Sequence, residues 1–152
     1  MKKQTFPIRL GAAAVFLLAV LLSGAITLLA LWLQPNALRT VLAGFRASPM
    51  LIVLNALPVG LTVLTLTFLF RNVFFAAAVT ELAVCGLSIA NRIKIEVRDE
   101  PVFPRDLGLL KEVGSAVGTY DIRLPWAQAG AVVFLCAVLV LLGLFLRCKV
   151  EE

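Results

Sequence analysis

Leu10–Leu33 is a run of 24 residues without a charge, and it limits the fold more than any other stretch of the chain. At about 1.5 Å of rise per residue, a helix of this length crosses the roughly 30 Å hydrocarbon layer of a bilayer with some tilt. The run exceeds the roughly 7–15 apolar residues of a signal-peptide core, and no A-x-A-like site follows it, so it reads as a helix that stays. Met50–Phe70, Val73–Ala90 and Ala127–Leu146 repeat the pattern. Inside a bilayer a helix satisfies its own backbone groups, which makes it the default for such runs. The expected fold is all-α and integral to the membrane: one domain, 1–152, built as a bundle of four transmembrane helices with spans at about 10–33, 50–70, 73–90 and 127–146. A loop of about 91–125 separates the last two, and a short amphipathic interfacial helix is expected within it.

Composition agrees with a membrane class. The chain is 61% hydrophobic, against about 45–50% for ordinary soluble domains, and its mean hydropathy is +1.01. The net charge of +5 needs dividing by region. Asn91–Pro125 contains six Lys/Arg and six Asp/Glu and sums to zero. The surplus comes from Lys2, Lys3, Arg9, Arg39, Arg46, Arg71, Arg147 and Lys149, which flank the apolar runs and suit anionic lipid headgroups. Nucleic acid is not an expected partner, since no basic face is interleaved with exposed aromatics. Cys85, Cys136 and Cys148 lack metal-ligand spacing and there is no histidine, so the thiols read as lipid-facing or core residues and no metal site is expected.

Between the first two runs, Leu38, Val41, Leu42 and Phe45 recur at helical spacing beside Arg39 and Arg46. This suits either a short interfacial helix or a plain connection with flanking cations. The second run contains Asn55, Pro58, Thr62, Thr65 and Thr67, and a proline kink is expected near Asn55. Arg71-Asn72 makes a tight turn, which sets the second and third spans antiparallel. Glu81 falls near the middle of the third run, where a carboxylate costs a few kcal/mol. Counting outward from the turn places Thr62 at its depth and Asn55 level with Ser88. Glu81 therefore reads either as a functional group or as a neutral acid bonded to a threonine, a bond between helices worth about 0.6–2 kcal/mol.

In the polar loop, Glu100-Pro101 and Phe103-Pro104 interrupt regular structure, because the residue before a proline is driven toward extended backbone. Asp106 is placed to N-cap a helix from Leu107 onward, with Leu109, Leu110, Val113 and Val117 on one side and Lys111 and Glu112 toward another. Gly108, Gly114 and Gly118 weaken that helix unless its apolar side lies on a bilayer or on the other spans. Four spans put both termini on one side. The Lys/Arg tally is six on that side and eight on the other, which does not decide orientation, although Lys2 and Lys3 favour a cytoplasmic N-terminus. No phosphate loop, nucleophile elbow or acid/base pair is present, so no catalytic residue is expected.

Asn91, Lys94, Arg98, Glu100-Pro101, Pro104-x-Asp106-Leu107-x-Leu109, Lys111-Glu112 and Tyr120, together with Pro49 and Asn55 of the second span, resemble the membrane part of bacterial lipoteichoic acid synthase-like proteins. These are phosphoglycerol transferases of the sulfatase/alkaline-phosphatase superfamily. The resemblance covers about Ser48 to Trp126; elsewhere only the hydropathy is similar. It implies a module of the bacterial cell membrane that takes part in making a glycerol-phosphate polymer of the envelope. It also implies cytoplasmic termini, with Asn91–Pro125 outside. Members of the family usually have five spans, followed by an extracellular catalytic domain with a threonine nucleophile and a divalent metal, commonly manganese. Glycerol phosphate is drawn from phosphatidylglycerol. This sequence holds four spans and none of the catalytic residues, so the resemblance implies a truncated or split member that is no enzyme by itself, holds no cofactor, and works with a separate catalytic domain. Arg98, with Lys94 and Arg92, would then meet outer-leaflet phosphates, the guanidinium as a bidentate fork and the ammonium as a point charge. The same cations could instead pair with Glu96, Asp99 and Glu100. A reading from another class is a small stand-alone membrane protein, either a transporter subunit or a scaffold for a partner enzyme, with Glu81 and the polar side of the second span as its site.

Overall fold

The computed structural model describes residues 9–34, 37–103, 106, 126–146 and 149–150. Five helices account for nearly all of them: α1 (Ala12–Trp32), α2 (Ala37–Ala47), α3 (Met50–Phe70), α4 (Val73–Arg98) and α5 (Trp126–Phe145). Four of these, α1, α3, α4 and α5, are long and apolar enough to cross a membrane. A two-residue parallel ladder, β1 (Arg9–Leu10) with β2 (Lys149–Val150), joins the two ends of the chain. Both ends thus lie at one end of the bundle, as an even number of spans requires.

The helix at the centre is α4, which packs against α1, α3 and α5, while α1 also packs against α3. Small side chains make these approaches possible: Ala19 and Ala30 on α1, the run Ala76-Ala77-Ala78 on α4, and Gly60 and Gly143 where α3 and α5 come in. A Cβ on Gly143 would lie 3.1 Å from the Phe75 ring, and one on Gly60 would lie 3.3 Å from Ser23 Oγ. Many of the large apolar side chains point the other way, with Leu17 60%, Phe68 75% and Phe134 68% exposed, while Leu33, Ile26 and Phe74 are buried. Small residues inside and bulky ones outside is the pattern that suits helices packed in hydrocarbon, where apolar burial between helices gains little. The buried hydroxyls satisfy themselves on the preceding turn: Ser23 donates to the Val20 carbonyl, Thr27 to Ser23, Thr67 to Val63 and Thr80 to Ala76. They therefore pack as small residues and need no partner on another helix.

The turn after α3 is as short as the sequence requires. Arg71 takes the left-handed conformation (φ 52°) that ends α3, and Asn72 caps α4 by accepting from the N–H groups of Phe74 (3.0 Å) and Phe75 (3.4 Å). The other half of the same amide donates to the Gly143 carbonyl at 2.8 Å, so one buried side chain fixes the α3–α4 turn to the last turn of α5.

One expectation needs adjusting. The third helix does not stop at Ala90; it runs two more turns, through Asn91–Arg98, and ends at Asp99 in the left-handed conformation (φ 52°) just ahead of Glu100-Pro101. Falling hydropathy marks where a helix leaves an apolar medium, not where its hydrogen bonds end. Helix α3 passes through Pro58 as one element, with only the Leu54 carbonyl deprived of its usual donor. Between α1 and α3 the residues do form a helix, α2, with Phe45 half-buried and Arg39 and Arg46 exposed. The amphipathic helix expected after Asp106 lies outside the described residues.

Asn72→Ala removes both the cap and the tie to α5. It should lower stability by about 1–3 kcal/mol, the sum of a lost N-cap and one buried hydrogen bond. Asn72→Asp keeps the capping oxygen but sets an acceptor against the Gly143 carbonyl, and it should not recover wild-type stability. Unfolding by denaturant in detergent micelles measures both.

Candidate functional site

Four polar side chains meet where α1 ends, α4 emerges and α5 begins. Gln34, just past α1, donates to the Ser88 carbonyl at 3.2 Å and accepts from Asn91 Nδ2 at 3.0 Å. Arg92 donates through Nη1 to the Leu33 carbonyl (3.3 Å) and to Gln128 Oε1, and through Nε to Glu96 at 2.8 Å. Gln128 in turn donates to the Trp32 carbonyl at 3.4 Å. The last carbonyls of α1, which have no partner within their own helix, are thereby met by side chains of α4 and α5.

The loop is held to this cluster by residues one turn apart on α4. Asn91 Oδ1 accepts from the Val102 N–H at 2.9 Å. Lys94 Nζ donates to the Pro101 carbonyl (2.9 Å) and to Asp106 Oδ2 (2.6 Å), and lies 5.2 Å from the centre of the Phe103 ring. Asp106 Oδ2 also accepts from the Phe103 N–H at 2.7 Å, and the Asp106 N–H returns to the Phe103 carbonyl. Helix, proline turn and acid form one clamp. Lys94 and Asp106 are mostly shielded, their side chains 15% and 19% exposed, which makes the pair stronger than a surface ion pair.

Several site residues proposed from the sequence meet here, and others do not. Lys94 is bonded to Pro101 and Asp106, Asn91 holds the same loop at the Val102 N–H, and Arg92 belongs to the adjoining cluster. Both Arg92 and Lys94 are thus committed to protein partners. The pairing of Arg92 with Glu96 is the intrachain alternative the sequence allowed. Glu100 is exposed beside the clamp. Arg98 ends α4, but its side chain lies outside the described residues, as do Pro104, Glu112 and Tyr120. Asn55 and Thr62 point outward, each bonded to its own helix at Leu51 and Pro58. Thr62 is therefore not the partner of Glu81, because depth along a bundle says nothing about rotation around a helix axis. Asn55 likewise does not reach Ser88, whose carbonyl is taken by Gln34.

Gln34 and Gln128 escape the sequence reading. Their signal is weak: each is a lone amide at a span end, and parity places both ends on the same face. Among the described residues, no three His, Cys, Asp or Glu side chains gather in a way that could hold a metal ion. No family model, curated protein or solved structure matches the chain.

Replacing Lys94 by Met removes two loop bonds while keeping the bulk of the side chain. Amide exchange at Val102 and Phe103 should accelerate at least tenfold, while exchange in the α1, α3 and α5 cores stays unchanged. Exchange read by mass spectrometry resolves the two regions.

Proposed function

We propose that the chain is a multi-pass membrane module that anchors a polar loop at one face of the bilayer and presents anionic lipid there. In this reading it fills the role of the membrane part of a phosphoglycerol transferase of the lipoteichoic acid synthase-like kind. The observation that supports it is the clamp. Asn91, Lys94, Pro101 and Asp106, the residues that carry the resemblance, form one hydrogen-bonded unit, so their spacing answers to a definite geometry. Such a unit fixes where the following segment leaves the bundle.

The clamp also divides the labour among the cations. Lys94 and Arg92 hold the loop and the helix ends, so the headgroup role falls to Arg98, in the last turn of α4. The termini are cytoplasmic and the clamp is outside, in the membrane of a bacterial cell. Transfer of glycerol phosphate, with its divalent metal, belongs to a separate extracellular catalytic domain, and this chain on its own transfers none.

Two measurements test the proposal. With a membrane-impermeant maleimide on intact cells, Gly114→Cys should label and Arg71→Cys should not; the reverse pattern overturns the orientation. Native mass spectrometry of the purified chain with a mixture of phosphatidylglycerol and phosphatidylcholine should show phosphatidylglycerol retention falling about fivefold in Arg98→Ala, the roughly 1 kcal/mol that one cation contributes at an anionic surface. Arg98→Lys should fall between the two, because it keeps the charge and loses the fork. Equal retention by all three rules out Arg98 as the headgroup ligand.

A further inference from the structure

Glu81 sits in the middle of α4, nine residues after Asn72 and eleven before Arg92, which puts it about 14–16 Å of helix from either end of the bundle. It is 1% exposed, and neither carboxylate oxygen has a hydrogen-bond partner among the described residues. The buried hydroxyls of the bundle are spent on their own helices, as described for Thr80, Thr67, Ser23 and Thr27. Among the described residues no helix packed against α4 brings a cation to it: α1 and α3 carry no titratable side chain, and α5 carries only Cys136. The titratable groups that face Glu81 are two thiols, Cys85 one turn along α4 and Cys136 across on α5. Cys136 directs its own hydrogen at the Ala78 carbonyl, 3.9 Å away.

An ionised carboxylate without donor or counterion is hard to keep in such a place, whereas a carboxylic acid is merely a polar group short of partners. The surroundings are also asymmetric. Toward the termini, the positions on the same face of α4 are Ala78, Ala77 and Phe74, all buried and apolar. Toward the clamp they are Cys85, Ser88 and Arg92, at spacings of four, three and four residues. That stripe ends in the cluster around Gln34 and Gln128, where the bundle turns polar.

We propose that Glu81 is a proton-binding site inside the bundle, which exchanges its proton with the clamp face along Cys85 and Ser88. This rests on the bundle being embedded in a membrane but not on any lipid-presenting role. A residue that served only as glue between helices would have a partner on another helix; Glu81 has none. Its retention costs stability, so Glu81→Met, of similar volume, should raise the melting temperature in detergent.

Infrared spectroscopy of the full chain in dodecyl maltoside, which has no carbonyl of its own, reads the proton directly. At pH 7 the wild type should show the C=O stretch of a protonated carboxylic acid, and Glu81→Gln should lose it. Should Glu81→Gln fail to fold, carboxyl-13C glutamate in the wild-type chain makes the same assignment by the isotope shift of the band. On transfer to D2O the band should shift down, and Cys85→Val with Ser88→Ala should slow that shift at least tenfold. Absence of the band in the wild type, or its persistence in Glu81→Gln, overturns the site. A band that never shifts in D2O shows a sealed acid, and a shift indifferent to the Cys85 and Ser88 changes shows that the proton leaves elsewhere; either result overturns the proposed exchange. No phosphatidylglycerol is present, so these outcomes leave the headgroup reading untouched.

Discussion

Everything in this bundle follows from one condition: polar atoms held among apolar side chains must find their partners within the protein. Backbone groups do so by forming helices. Hydroxyls do so by bonding one turn back, which frees α1, α3 and α4 to approach through small surfaces. At the two ends of the bundle the condition is met differently, by amides and one guanidinium that bridge elements far apart in sequence. Asn72 reaches across 71 residues to the carbonyl of Gly143, and Asn91 reaches across 57 to Gln34. The interior is generic and the ends are specific.

The difference explains what could be read beforehand. Hydropathy is a local sum, so the four long apolar helices were legible to within a few residues, except where α4 carries its hydrogen bonds two turns past the last apolar stretch. The Arg71-Asn72 turn was legible too, because two residues leave the chain little choice. The facing of each helix was not. Thr62 and Glu81 sit at comparable depth, yet one looks outward and the other inward, and no periodicity in α3 marks which side is which. The clamp was half legible. Asn91, Lys94, Pro101 and Asp106 stood out as a spacing, but Gln34 and Gln128 lie in other segments and become partners only through the fold.

The two polar features of α4 differ in kind. At the clamp, donors and acceptors pair off, and the result holds Pro101 and Asp106 to α4. At Glu81 they do not pair, and the helix carries a group whose cost no neighbour offsets. Arg92, in the cluster beside the first feature, stands on the same stripe of α4 as the second.

The ladder between Arg9–Leu10 and Lys149–Val150 gives α5 a mechanical character that its packing alone would not. Helix α5 rests on α4 and, among the described residues, barely touches α1 along its length. Yet it is tethered to α1 at both extremities, by strand pairing beside the termini and by Gln128 on the Trp32 carbonyl at the clamp. A helix held so cannot swing out like a door. Between the two tethers stands Cys136, whose Sγ lies 3.9 Å from the Ala78 carbonyl of α4, so the middle of the helix is set by its packing on α4 and its ends by α1.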